Sequence, residues 1–191
     1  IAGVQLSLDC GDETEAGRGR ALPQIPPHIV LLAMNEAGYG NLMKLVTQAA
    51  LASGGSGQPV SNLDALAAHH DGLIALTGGR GGPLDVALRN NQISQARARL
   101  ATLSAIFGDR LYVEIQRHGS DGDAAVEAHL LQLAYEADLP IVATNEPFFA
   151  KPADYDAHDA LLAVAAGRLV SDGERRRVTP EHYFTSRAEM K

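Results

Sequence analysis

His28 and Glu146 are the side chains best placed to ligate a divalent metal, since each adjoins an apolar run that reads as a strand. Two ligands rarely hold a catalytic ion, because such an ion needs several His, Asp, Glu or Cys donors converging on it. The other polar residues near strand ends are Gln5, the stretch Thr77-Gly78-Gly79-Arg80-Gly81-Gly82, Glu114, Gln116, His118 and Thr144-Asn145. Amide and glycine stand where charge would be useful, so the set makes a poor metal cage. The plainer alternative for His28 is a histidine at a strand edge, hydrogen-bonded to backbone. Arg80 and His118 could contact a phosphate, with Gly78 to Gly82 cradling it through backbone N–H groups. The stretch lacks the Lys-Ser/Thr ending of a P-loop and the spacing of a dinucleotide fingerprint, and it reads better as a glycine turn.

Other suggestive clusters have structural readings. Asp154, Asp156, His158 and Asp159 resemble a ligand group, but at helical spacing Tyr155, His158 and Leu162 share one face, and Asp154 or Asp156 suits the first turn of a helix. His69-His70 precedes the turn signal Asp71-Gly72 and is expected at the surface, at a helix end. Arg175-Arg176-Arg177 could touch a phosphate, DNA included, yet it reads as a solvated turn. Cys10 sits in an acidic loop, and no Ser-His-Asp or Cys-His arrangement surrounds it.

These residues must be positioned by a real core, and 191 residues with 46% hydrophobic content suffice for one. With 23 acidic against 16 basic residues the formal charge is -7, which disfavours a dedicated DNA-binding module. A single cysteine excludes an internal disulfide and a zinc ribbon, so a reducing cytoplasm is the expected compartment. No apolar run reaches membrane-spanning length, and no membrane partner is expected. The start at Ile1 carries neither a Met nor a basic n-region, and the chain reads as cut from something longer.

Short β-rich runs alternate with helical patterns, the signature of a parallel sheet or barrel covered by helices. Strands are expected at 3–8, at 28–33 as a buried parallel strand, and at 73–76, 111–116 and 141–144. Helices are expected from Asn35 until the Ser53 to Gly57 loop, from Ser61 or Asn62 through His69, and at 92–107, 124–137 and 154–167, the last burying Leu161, Leu162 and Val164. Residues 1–150 are read as a partial barrel, and 151–191 as a helix with a C-terminal segment. Five strands are too few for closure, which usually takes about eight, so the sheet is open here or strands are missing upstream.

Three stretches, taken in order, are together specific. They are His28-Ile-Val-Leu-Leu-Ala-Met-Asn-Glu-Ala-Gly-Tyr-Gly-Asn-Leu42, Gly72-Leu-Ile-Ala-Leu-Thr-Gly78, and Leu139-Pro-Ile-Val-Ala-Thr-Asn145 followed by Ala157-His-Asp-Ala-Leu-Leu162. They closely resemble the polymerase and histidinol phosphatase (PHP) domain, and more narrowly the version carried by bacterial DNA polymerase III alpha subunits. Tyr183 to Ser186 with Glu189-Met190 is similar to the segment leading toward the polymerase part. The resemblance implies an incomplete α/β, (β/α)7-type barrel with mostly parallel strands and outer helices, whose first strands and His-x-His motif lie upstream of Ile1.

The family's metal-binding members carry a trinuclear cluster, and the resemblance places five of its ligand positions on this chain. The bridging glutamate matches Gln5, and the histidine opening the next strand is kept as His28. A cysteine or histidine is replaced by Gly79. The Asp-x-His pair becomes Glu146-Pro147-Phe148. One ligand is retained, one approximated and three are lost, which removes most of the binding free energy for closely spaced cations. The resemblance therefore implies no catalytic residue and no metal in this region. It suggests a scaffold beside the remainder of a polymerase chain and a docking platform for a proofreading exonuclease subunit. Magnesium and DNA would be used by the parent polymerase, whose catalytic aspartates lie outside this chain. The competing expectation is a residual metal-dependent phosphoesterase, pyrophosphatase or 3′-5′ exonuclease using His28, Glu146, His118 and Arg80. A stand-alone phosphatase of the histidinol type fits the Tyr183 to Met190 tail less well.

Overall fold

The computed structural model describes residues 1–11, 26–54, 58–119 and 123–190. Strand β1 (Gly3–Asp9) buries Leu6 and Leu8 on one face and leaves Gln5 and Ser7 on the other, the period-two alternation of a strand. Strand β2 (His28–Ala33) alternates likewise, with Ile29 and Leu31 buried and His28 and Val30 on the far face. Helix α1 (Glu36–Ala52) starts where Asn35 Oδ1 accepts the Gly38 N–H at 2.9 Å, and it buries Leu42, Leu45 and Ala49. Strand β3 (Val60–Asn62) runs into helix α2 (Leu63–Ala68), capped by Asn62 Oδ1 on the Ala65 N–H at 2.8 Å.

Strand β4 (Leu73–Leu76) leads through the glycine stretch to helix α3 (Pro83–Arg89). Helix α4 (Ile93–Phe107) buries Ala96, Leu100, Leu103 and Phe107 of the stripe that the three-and-four spacing predicts, while Ile93, expected on the same stripe, is exposed in the first turn. Strand β5 (Leu111–Ile115), helix α5 (Asp123–Glu136), strand β6 (Ile141–Ala143) and helix α6 (Tyr155–Ala165) follow.

Among the described residues the strands form one six-stranded sheet in the order β3-β1-β2-β4-β5-β6, an α/β architecture whose sheet does not close. The β1–β3, β4–β5 and β5–β6 pairs are parallel, and both pairs made by β2 are antiparallel. The expectation of β2 as a parallel strand is thus corrected. An apolar run reports burial but not direction, and the chain re-enters directly beside β1, pairing His28 with Ser7.

Two elements were not anticipated. Strand β3 has three residues, too few for a pattern, and α3 is a seven-residue helix. Its signals are nevertheless present in Pro83 at the first turn, Asp85, and Arg89 four residues on.

Helices α1, α4 and α5 supply apolar side chains to a continuous core with Leu6, Leu8, Ile29, Leu31, Leu73, Ala75, Leu111 and Val113 from the strands. The opposite sheet face carries Gln5 beside Val30 and Val30 beside Leu76, and it becomes the floor of the candidate site. Helix α6 lies differently from expectation. Leu161 and Val164 are exposed and Ala163 is the buried residue, because Tyr155 and His158 turn that helix toward Phe148 and Phe149. No described helix is long and apolar enough to cross a membrane.

Candidate functional site

Alternation along the strands brings Gln5, His28, Arg80, Glu114, Gln116 and Glu146 to one open cavity of about 290 Å³ on the sheet face away from the helices. Four of the positions singled out for ligation or phosphate contact meet there, Gln5 from β1, His28 from the first residue of β2, Arg80 from the glycine stretch, and Glu146 from the loop after β6, together with the strand-end residues Glu114, Gln116, Thr144 and Asn145.

Glu114 organises this face. It is 3% exposed, and its carboxylate accepts the Gly78 N–H at 2.9 Å, the Thr144 hydroxyl, and Gln116 Nε2 at 3.3 Å. Its own N–H donates to Thr77 Oγ1 at 2.9 Å. A buried carboxylate so fully engaged costs much less than an isolated one, and it ties β4, β5 and β6 together at their carboxyl ends. The sequence signal for it was a single acid placed among the buried Leu111 and Val113.

Gly79 leaves no room for a side chain. Its φ is +49°, and a Cβ built there would lie 2.3 Å from Gln116 Cδ. The Gln116 amide therefore occupies the space a ligand side chain would need. It is held there by donation to Thr144 Oγ1 at 3.1 Å and by acceptance of the Arg80 N–H at 3.1 Å.

The glycine stretch has few amides to offer a phosphate. The N–H of Gly78 goes to Glu114, that of Arg80 to Gln116, that of Gly81 to Asp85 Oδ2 at 3.3 Å, and that of Gly82 to Gly79 O at 3.0 Å. The Arg80 guanidinium lies 3.5 Å from Asp123, which Arg89 also holds at 2.7 Å while pairing with Asp85 at 2.9 Å. Burial works against the Arg89 charge, but its bonds to Asp85 and Asp123 outweigh that and keep it above its ordinary value. The stretch is a turn packed onto β2, with His28 N donating to Gly81 O at 3.1 Å.

Phe148 and His118 lie outside that cavity's lining. The Phe148 ring packs against His158 at 5.7 Å and His182 at 5.5 Å. His118 is 1% exposed, bonds through Nε2 to Asn145 Oδ1 at 2.7 Å, and stacks on His182. Its position is that of a core histidine.

The acidic cluster is dispersed by local structure. Asp154 accepts the Lys151 N–H at 3.0 Å, and Asp159 accepts Arg175 Nη1 at 2.6 Å. The reading of Arg175 as part of a solvated turn is corrected: its side chain is 1% exposed and clamps α6 to the carbonyl of Val170. Arg177 donates to the same carbonyl at 3.0 Å, and Arg176 is exposed.

Among the described residues no three His, Cys, Asp or Glu side chains converge to hold a metal ion. The donors at the matching positions are an amide, one imidazole, one carboxylate, a glycine and a phenyl ring. That set does not fit a cluster of divalent cations, whose mutual repulsion demands several anionic ligands.

The chain matches the PHP domain family over residues 1–118. It is 48% identical over 165 residues to the DNA polymerase III subunit alpha of Caulobacter vibrioides, covering 86% of this chain. It is 32% identical over 189 residues to that of Thermus aquaticus, and 32% over 194 residues to that of Escherichia coli K12, covering 99% and 100% of this chain. The chain spans only 14–16% of the length of these relatives. With the family match spanning the sheet from β1 through β5, this chain belongs to the PHP domain family.

Proposed function

We propose that this chain is the PHP region of a replicative DNA polymerase alpha subunit that has lost its own chemistry. It serves as a structural platform for the remainder of the polymerase chain and docks a proofreading exonuclease subunit. The parent chain carries out DNA-directed DNA synthesis with magnesium, through residues outside this region, and acts in the cytoplasm. The observation that carries the reading is the refilling of ligand positions. Gln116 occupies the space beside Gly79, and Phe148 is absorbed into an aromatic cluster with His158 and His182. A site under pressure to keep cations would not have its donor space taken up by packing and neutral hydrogen bonds.

The test is hydrolysis of pyrophosphate and of a 3′-terminal nucleotide by the chain with its native upstream residues, with and without Mn²⁺ or Zn²⁺. The expected result is no turnover and no stoichiometric cation. Turnover abolished by His28→Ala, or two or more ions held near His28, would overturn the proposal. That outcome would support the second reading, a residual metal-dependent phosphoesterase, pyrophosphatase or exonuclease. It is favoured by one observation, the convergence of His28, Glu146, Arg80 and Glu114 on one cavity. A pull-down with the separately expressed exonuclease subunit tests the docking role, and its absence from the bound fraction counts against it.

A further inference from the structure

The C-terminal segment is fastened to the end of the sheet by a stacked pair of histidines that the proposed function does not use. The rings of His118 and His182 lie 3.9 Å apart and 17° from parallel, and both residues are buried. His118 follows β5, whereas His182 is brought in by the segment after α6.

The surroundings favour a neutral His182 ring. Asn145 Nδ2 donates to the carbonyls of Tyr183 at 2.8 Å and Glu181 at 3.2 Å, so its Oδ1 faces His118 Nε2, which carries the hydrogen. At His182, Nδ1 accepts the Thr179 N–H at 3.2 Å, with Thr179 Oγ1 at 3.0 Å. Burial and the neighbouring His118, Arg80 and His158, all able to carry positive charge, disfavour a proton on His182. Thr179 O, 3.2 Å from Nδ1, is the one contact that favours it, and the net effect holds the imidazole below its ordinary value. Phe148 lies between His182 and His158, and Glu146 and Glu181 flank the two strands of chain in sequence.

The same residue anchors the backbone. Phe148 N donates to His182 O at 2.9 Å, Phe184 N donates to Phe149 O at 2.9 Å, and Phe149 pairs with Tyr183 in a parallel bridge. The His182 ring and these backbone bonds thus lie side by side in one attachment between the segment and the loop.

We propose that His118 and His182 form a proton-sensitive latch: neutral, the stack holds residues 179–184 against the loop at 145–149, and protonation of His182 in mild acid releases the segment. The sign follows from linkage. The released form takes up a proton near the ordinary imidazole value of about 6.5. The closed form takes it up only at lower pH, so closure is full above that value and weakens as pH falls below it.

The test is amide hydrogen exchange on the 191-residue chain, expressed as protection factors between about pH 7.5 and pH 5.5, alongside the NMR titration of the His182 ring. Protection at Phe148 and Phe184 should fall about tenfold for each pKa unit separating closed and released forms, with its midpoint on the His182 titration. Leu31 and Leu76 in the sheet should keep theirs. His182→Gln, which retains an acceptor but takes no proton, should keep protection at the lower pH. If that variant does not fold, the coincidence of the two midpoints in the unaltered chain decides. Unchanged protection at Phe148 and Phe184, a midpoint away from the His182 titration, or equal loss in a folded His182→Gln chain would overturn the latch.

Discussion

At Gly79 the space a side chain would need is taken by the Gln116 amide, which makes a larger residue there costly. Gly79→His would meet Gln116 at the Cβ atom and would also hold a positive φ that side-chain-bearing residues rarely adopt. The expected outcome is a loss of about 1–3 kcal/mol in denaturant unfolding and no gain of stoichiometric Mn²⁺ by calorimetry. Pairing it with Gln116→Ala should recover part of the stability, because the contact at 2.3 Å is removed. Glu114 gives the complementary case. Glu114→Ala leaves the Gly78 N–H and the Thr144 hydroxyl without their acceptor and should cost about 3 kcal/mol, read as a lower denaturant midpoint. The polarity of these residues is legible in the sequence, but the filling of one position by another is not, since Gly79 and Gln116 are brought together only by the side-by-side pairing of β4 and β5.

The helices and their attachments reward sequence reading unevenly. Asn35 and Asn62 cap α1 and α2 as their residue types suggest, and α4 follows its apolar spacing. Gly38 breaks the local rule. Within a helix, Gly→Ala usually stabilises by about 1 kcal/mol. Here a Cβ at Gly38 would lie 1.9 Å from Gly72 O, so Gly38→Ala should instead destabilise by about 2–4 kcal/mol, measured by urea denaturation.

The clamp between Arg175 and α6 makes a prediction in pH. Hydrogen bonding from Arg175 holds the Asp159 carboxyl below its ordinary range, so the pair contributes above that range and its contribution is lost as pH falls through it. Arg175→Gln should loosen residues 168–178 to proteolysis at neutral pH, and the difference from the unaltered chain should shrink below about pH 4. The triplet looked solvent-bound because three adjacent charges rarely share one environment. Tertiary placement buries the first side chain and leaves Arg176 exposed.

At the scale of the molecule, the sheet among the described residues ends in two edge strands, β3 and β6, and apolar side chains lie open near the C-terminal end, among them Leu161, Val164, Leu169 and Phe184. Unpaired edges and exposed apolar groups favour association. The chain should therefore show a mass above the monomer in light scattering as concentration rises, and a constant monomer mass would contradict this. Association of this kind should diminish in Leu161→Lys, which adds charge at an exposed position.

The order of strand and helix signals, the caps, most of the α4 core stripe and the neutral residue types at Gln5, Gly79 and Phe148 were all determined by the sequence, because each is a local pattern of residue types. The direction of β2, the exposed face of α6, the burial of Arg175 and the occupation of Gly79's space by Gln116 were decided only in three dimensions. Each of those depends on which segments, far apart in the chain, come to lie side by side, and a linear pattern of polarity carries no record of its neighbour across the sheet.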